Sequence, residues 1–305
     1  MLVKSEQPKP NLLYRTTASV PRLKKAIAEI AERDLFHEAE EKKATKIHNI
    51  GVLFTIIGFT GALISYTLFE AFPPIATFLI PFTISLFFLG FGTFIWGRIR
   101  QKKHQPFNLS QRRYRYESLG KLLEIWKKDL NLSHKLRVSL DLQKRDDKSK
   151  LVKQEPFSRH KDGKTDFYRD EWLKVKGQFL DETKFFLQVI ERHRVRSWTN
   201  VNNKNRTKLI PKGFEIILKL NYLSQRYPNV SGLKDRARSA IKLPATVELK
   251  RLEITNRGLT MKVKILPDPQ TDNLRNLLFQ SIILMFMSAY QTLNLARAMN
   301  QQRGA

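Results

Sequence analysis

Two uncharged apolar runs separated by paired prolines constrain this 305-residue chain more than any other feature. The first, residues 50–69, carries Leu53, Phe54, Ile56, Ile57, Phe59, Leu63, Ile64 and Leu68 without a charge. A helix of about 20 residues at 1.5 Å per residue matches the hydrocarbon thickness of a bilayer. The second run, residues 72–97, contains Ile75, Phe78, Leu79, Ile84, Phe87, Phe88, Leu89 and Ile95. Between them, Glu70, Ala71, Phe72, Pro73 and Pro74 forbid one continuous helix, because proline lacks a donor and restricts its predecessor. The expectation is a two-helix transmembrane hairpin, with helices at 50–69 and 72–97.

Neither run holds an Asp, Glu, Lys or Arg, which argues against a self-contained pump or transporter. Gly51, Gly58, Gly61, Gly90, Gly92 and Gly97 would let backbones approach closely, within the hairpin or in a homo-oligomer. Lys and Arg set the orientation: ten precede residue 50, none falls in 50–96, and seven fall in 98–115. The positive-inside rule then places both flanks in the cytoplasm. An integral, multi-pass membrane protein with N- and C-terminal regions cytoplasmic is the resulting expectation.

The flanks read as follows. Residues 1–18, with Pro8 and Pro10, have the composition of a flexible tail. Residues 19–48 form an amphipathic helix, opened by Ser19 and Pro21 and striped by Leu23, Ile27, Ile30 and Leu35. Residues 98–134 hold a basic juxtamembrane segment (Arg98, Arg100, Lys102, Lys103, Arg112, Arg113 and Arg115) and a helix from about 110 to 130. From 135 to 270 the period becomes two, as in Leu136, Val138 and Leu140 or Leu259, Met261 and Val263, which predicts an antiparallel β domain of about six strands. Strands are expected at 136–142, 172–180, 184–198, 214–220, 247–254 and 259–265, with 143–166 a polar, basic loop outside the core. An apolar helix over 271–300, capped at Thr271 or Asp272, is expected to pack on the sheet or lie at the membrane interface; its entry into the bilayer is the other possibility. The fold class is thus a membrane protein of α+β type, a transmembrane hairpin plus a cytoplasmic antiparallel sheet domain flanked by helices.

Charge is the chemically suggestive property. The chain has 55 Lys+Arg against 28 Asp+Glu, a net +27, and residues 98–305 alone carry +25. Such an excess attracts polyanions. Alternation places Lys174, Lys176, Arg192, Arg194 and Arg196 on one sheet face, where with the juxtamembrane cluster they would contact anionic lipid or another polyanion. Cysteine is absent, which excludes disulfides and thiolate metal sites. No phosphate-binding glycine loop, paired-histidine helix or nucleophile elbow occurs, and the six histidines are scattered singly and read as surface side chains. His160 with Asp162, or Asp166, Asp170 and Glu171, form only weak acid–base pairings, so no catalytic residue, metal or cofactor is expected. The leading expectation is a membrane-anchored, noncatalytic binding or scaffold protein presenting a basic domain to anionic lipid. The alternatives are a membrane-tethered nucleic-acid binder and a subunit of an oligomeric pore.

Overall fold

The computed structural model describes residues 12–68, 73–104, 109–130, 134–157, 162–200, 203–267 and 274–303. Glu70 to Phe72, His160 and the caps Thr271 and Asp272 lie outside the described residues. The chain divides into two compact units, one of residues 28–113 and one of residues 1–27 with 114–305.

The first unit is a pair of long helices, α1 (Val20–Leu68, begun in the other unit) and α2 (Pro73–His104). Nothing in the sequence breaks α1 between 48 and 50, so the amphipathic and apolar segments expected separately run as one helix. Pro73 and Pro74 occupy the first turn of α2, where a missing donor and a fixed φ are tolerated. The helices pack antiparallel: a Cβ at Gly58 would stand 2.7 Å from Phe87 Cα, and one at Gly90 would stand 2.7 Å from Phe54 C. Pairing continues past the apolar stretch, where Arg100 meets Glu40 at 2.6 Å and His37 Nδ1 lies 3.1 Å from His104 Nδ1. Outward lie Leu53, Ile56, Phe59, Ile64, Phe78, Phe82 and Phe88, all exposed. Among the described helices, α1 and α2 are the two long and apolar enough to cross a membrane by length and composition.

The second unit is an antiparallel sheet in the order β1-β2-β4-β5-β6-β8-β7, with β3 added beside the outer half of β4. Its strands are β1 (Leu13–Ala18), β2 (Leu136–Asp141), β3 (Leu151–Pro156), β4 (Lys164–Gln178), β5 (Lys184–Thr199), β6 (Asn205–Asn221), β7 (Val247–Ile254) and β8 (Gly258–Ile265). The helices are α3 (Arg113–Trp126), a short α4 (Lys234–Ala240) and α5 (Leu274–Arg303). Leu140, Val175, Leu187, Leu218, Met261 and their neighbours bury one sheet face. Leu119, Leu122 and Trp126 of α3 join that core, as do Leu278, Ile282, Met285, Ala289 and Leu293 of α5. The α5 spacing of three and four gives one buried stripe, so this helix belongs to the core of the sheet unit. Trp126 ties the layers together, 5.1 Å from the Phe185 ring and 5.3 Å from Phe286.

Several boundaries depart from the sequence reading. Residues 13–18, expected as tail, form β1, whose backbone groups are taken up by β2 from Leu13 opposite Asp141 to Ala18 opposite Leu136. The expected loop 143–166 contains β3 and the start of β4, and Lys150, Thr165 and Asp166 are buried. Strand β6 begins nine residues before Phe214 and passes through Pro211, beside a bulge where proline is accommodated.

Candidate anion-binding surface

Strand β5 pairs with β4 along its length, with a shift of register in β4 between Asp170 and Leu173, and residues of one parity on β5 share a face. Leu187 and Val189 enter the core, which leaves Lys184, Phe186, Gln188, Arg192, Arg194 and Arg196 on the other face, with the buried Ile190 among them. Lys174 lies opposite Gln188 and Lys176 opposite Phe186, so all five sheet residues singled out in the sequence share that face. The register extends the row laterally. Thr17 faces Arg137, Arg137 faces Lys176, and across Phe186 the next strand offers Lys219.

These residues line a cleft of about 710 Å³. Its walls carry Lys135, Arg137, Lys176, Lys184 and Lys219, together with His134 and Phe186, and among the described residues no carboxylate lines it. Lys176 Nζ stands 5.3 Å from the Phe186 ring centre. Five cations with no lining carboxylate make a region of positive potential that an incoming anion would neutralise.

The remaining sequence candidates are distributed differently. Lys174 pairs with Glu171, and Arg192 with Glu215 at 2.7 Å. Arg194 and Arg196 lie farther along β5, the Arg196 guanidinium 4.8 Å from the Phe157 ring. In the helical unit, Arg98, Lys102 and Lys103 are exposed, and the two lysines sit in the last turn of α2, where cations complement the helix dipole. Arg100 is held by Glu40, and Arg113 by Asp34 at 3.0 Å and by Glu38. Arg112 is buried.

Arg115 departs most from expectation. It is 0% exposed and cannot serve a surface. Its Nη2 donates to Asp170 Oδ2 at 2.6 Å and to Glu191 Oε2 at 2.9 Å, and its Nη1 donates to the Asp141 carbonyl at 3.0 Å. Lys150 bridges Asp141 and Asp170 at 2.9 and 2.8 Å, and Arg145 reaches Glu191 at 3.2 Å. The Tyr114 hydroxyl donates to Glu191 at 2.7 Å. Burial alone would raise the Glu191 carboxyl, but Arg115, Arg145 and Tyr114 outweigh it and hold the group below its usual value. Three cations here balance three carboxylates, the pattern of a structural network. Beside it, His193, expected at the surface, is 2% exposed and stacks on Tyr168 with 5.1 Å between ring centres. Burial pushes its pKa down to about 4.

Among the described residues no group of three or more His, Asp or Glu could hold a metal ion. The fold and surface thus define an α+β protein with a long apolar helical hairpin and a sheet whose open face is basic. No protein-family model, curated protein or solved structure matches the chain.

Of the five cleft cations the sequence singled out Lys176 and missed Lys135, Arg137, Lys184 and Lys219. Each lies at a strand end or on a partner strand, and pairing register, which no periodicity within a single strand reveals, brings them together.

Proposed function

We propose that this protein is a membrane-anchored, noncatalytic module that holds anionic lipid head groups in the basic cleft of its sheet. The observation that carries the reading is the cleft wall, with Lys135, Arg137, Lys176, Lys184 and Lys219 and, among the described residues, no lining carboxylate. The anchor is the α1–α2 hairpin, whose exposed Leu53, Ile56, Phe59, Phe78 and Phe88 form an apolar surface that lipid would cover. With positive charge flanking the apolar segment on both sides, the hairpin would place both chain ends in the cytoplasm. There anionic lipid is always within reach, and each cation near such a surface contributes about 1 kcal/mol.

Binding of nucleic acid is the second reading, favoured by the Phe186 ring among the lysines, since a base can stack where cations track phosphates. The pore reading is weakened by the hairpin hydroxyls. Thr55 donates to the Gly51 carbonyl, Thr60 to Ile56, Thr83 to Leu79 and Ser85 to Pro81, so these groups satisfy their own helices instead of presenting a polar wall. Its glycines are used inside the hairpin as well: Gly51, Gly58, Gly90 and Gly97 each abut the neighbouring helix.

The test is calorimetric titration of the full chain, in neutral maltoside micelles, with dihexanoyl phosphatidic acid and separately with a short single-stranded oligonucleotide. Saturable uptake of the lipid, weakened by salt and lost in Arg137→Glu/Lys176→Glu/Lys219→Glu, supports the proposal. Preference for the oligonucleotide with a steep salt slope transfers it to nucleic acid, and indifference to both at low salt overturns it.

A further inference from the structure

On the helix-covered side of the sheet, a cavity of about 410 Å³ opens between α3, the β4–β5 turn and α5. Its lining is aromatic, with Trp126, Phe179, Tyr227, Phe286 and Tyr290. Phe179 meets Phe286 and Tyr290 edge to face, at 6.0 and 5.7 Å between ring centres. Ile125, Leu180 and Met287 stand exposed at the mouth. In a chain of net charge +27, the described residues that line this cavity include no Lys or Arg and two carboxylates, Asp129 and Asp181. Arg226 and Arg297 act on the Tyr227 hydroxyl from nearby, but neither lines the space.

Asp181 is the informative group. Its Oδ1 accepts from the Thr183 amide at 3.0 Å and from the Tyr290 hydroxyl at 3.3 Å. Its Oδ2 accepts from the Thr183 hydroxyl at 2.8 Å and from the Tyr227 hydroxyl at 2.7 Å. Burial alone would raise this carboxyl, yet the donors lower it below its usual value, so it is an anion at neutral pH. A carboxylate oxygen offers about two acceptor sites, and both oxygens are fully used. At Asp181 a primary ammonium would find no free acceptor for its N–H groups, and the other carboxylate or amide acceptors in the lining are the exposed Asp129 and Asn294. A quaternary ammonium has no N–H to satisfy. It needs a negative field and aromatic rings, and Asp181 and five aromatic side chains line this cavity.

We infer that the cavity is a binding site for a small quaternary ammonium compound bearing an apolar substituent. The cation lies among the rings of Tyr227, Tyr290 and Phe179 beside Asp181, and the apolar portion lies against Trp126 and Phe286 toward Met287. The site stands on the opposite side of the sheet from the basic cleft and does not depend on it.

The experiment titrates the full chain in neutral maltoside micelles with benzyltrimethylammonium, using benzylammonium as a comparator of equal charge. The quaternary ion binds saturably and at least about tenfold more tightly than the primary one. Asp181→Asn weakens the quaternary ion about tenfold, and Met287→Trp, a change at the exposed rim that fills the mouth, abolishes its binding. Equal affinity for the two ions, undiminished binding to Met287→Trp, or no saturable binding overturns the inference. The ion comparison and the Met287 variant decide the matter even if Asp181→Asn fails to fold.

Discussion

Arg115 Nη2 stands 2.6 Å from Asp170 Oδ2, and both side chains are removed from solvent. The pair sits where β4 carries a bulge between Asp170 and Leu173, so helix α3 is bound to the sheet at the point where its ladder is irregular. Removing one partner of a buried pair leaves an uncompensated charge, which costs about 3–5 kcal/mol. Arg115→Ala removes the buried cation that Asp170 and Glu191 share, leaving Asp170 with Lys150 and Glu191 with Arg145 and Tyr114, and should lose stability toward the lower end of that scale. Urea unfolding of the full chain in micelles checks it, and a loss below about 1 kcal/mol would show that the network is not what binds α3.

His193 makes stability depend on pH. Its folded value of about 4 lies below the ordinary 6.5, so between these limits the unfolded chain takes up a proton that the folded chain refuses. The stabilisation is therefore complete above pH 6.5 and is lost as pH falls toward 4. A shift of this size corresponds to about 2–3 kcal/mol once residual screening is allowed for. His193→Phe, which keeps a ring against Tyr168, should flatten the difference curve over that window, while carboxylates such as Glu191 act equally in both proteins. Parallel wild-type and variant slopes between pH 6.5 and 4 would refute the assignment.

Gly213 has φ +87°, and a Cβ there would collide with the carbonyl oxygen of Ile265 on β8. It lies where the β5–β6 register shifts, so the bulge requires both the left-handed backbone and the empty space. Gly213→Ala should cost about 2–4 kcal/mol, the sum of backbone strain and a displaced strand. Gly232→Ala, with open space around its site, should stay within about 0.5 kcal/mol. The paired melting curves test the difference.

What could be read in advance follows from range. The apolar runs at 50–69 and 72–97 and the alternation of 184–198, 247–254 and 259–265 are local signals, and helices or strands stand at each. Strand β1 was hidden because its partner lies more than a hundred residues away, and β3 because Leu151–Pro156 has five exposed residues and no apolar alternation. Arg115 was misplaced by its company in a basic run. Its helical phase gave the better clue: Arg112, Arg115, Leu119, Leu122 and Trp126 recur at three and four residues and are all buried. Lys150 and Asp170 carried no such clue, since their burial is offset only by charges that the fold brings from distant segments.

The hairpin offers the last test. Gly58 lies against the Phe87 backbone, so any side chain there must part α1 from α2, whereas Gly92, on the same pair of helices, has nothing within 4 Å. Helices with ordinary side chains at the contact lie about 8–10 Å apart, and glycine at the contact permits a closer approach. Because the chain has no cysteine, single cysteines introduced at the exposed Leu53 and Phe91 carry spin labels without background. Gly58→Val should lengthen the label distance by about 1–2 Å and lower the melting temperature. Gly92→Val should leave both unchanged. If both substitutions behaved alike, the glycines would reflect composition alone, and close helix contact could not be what holds α1 to α2.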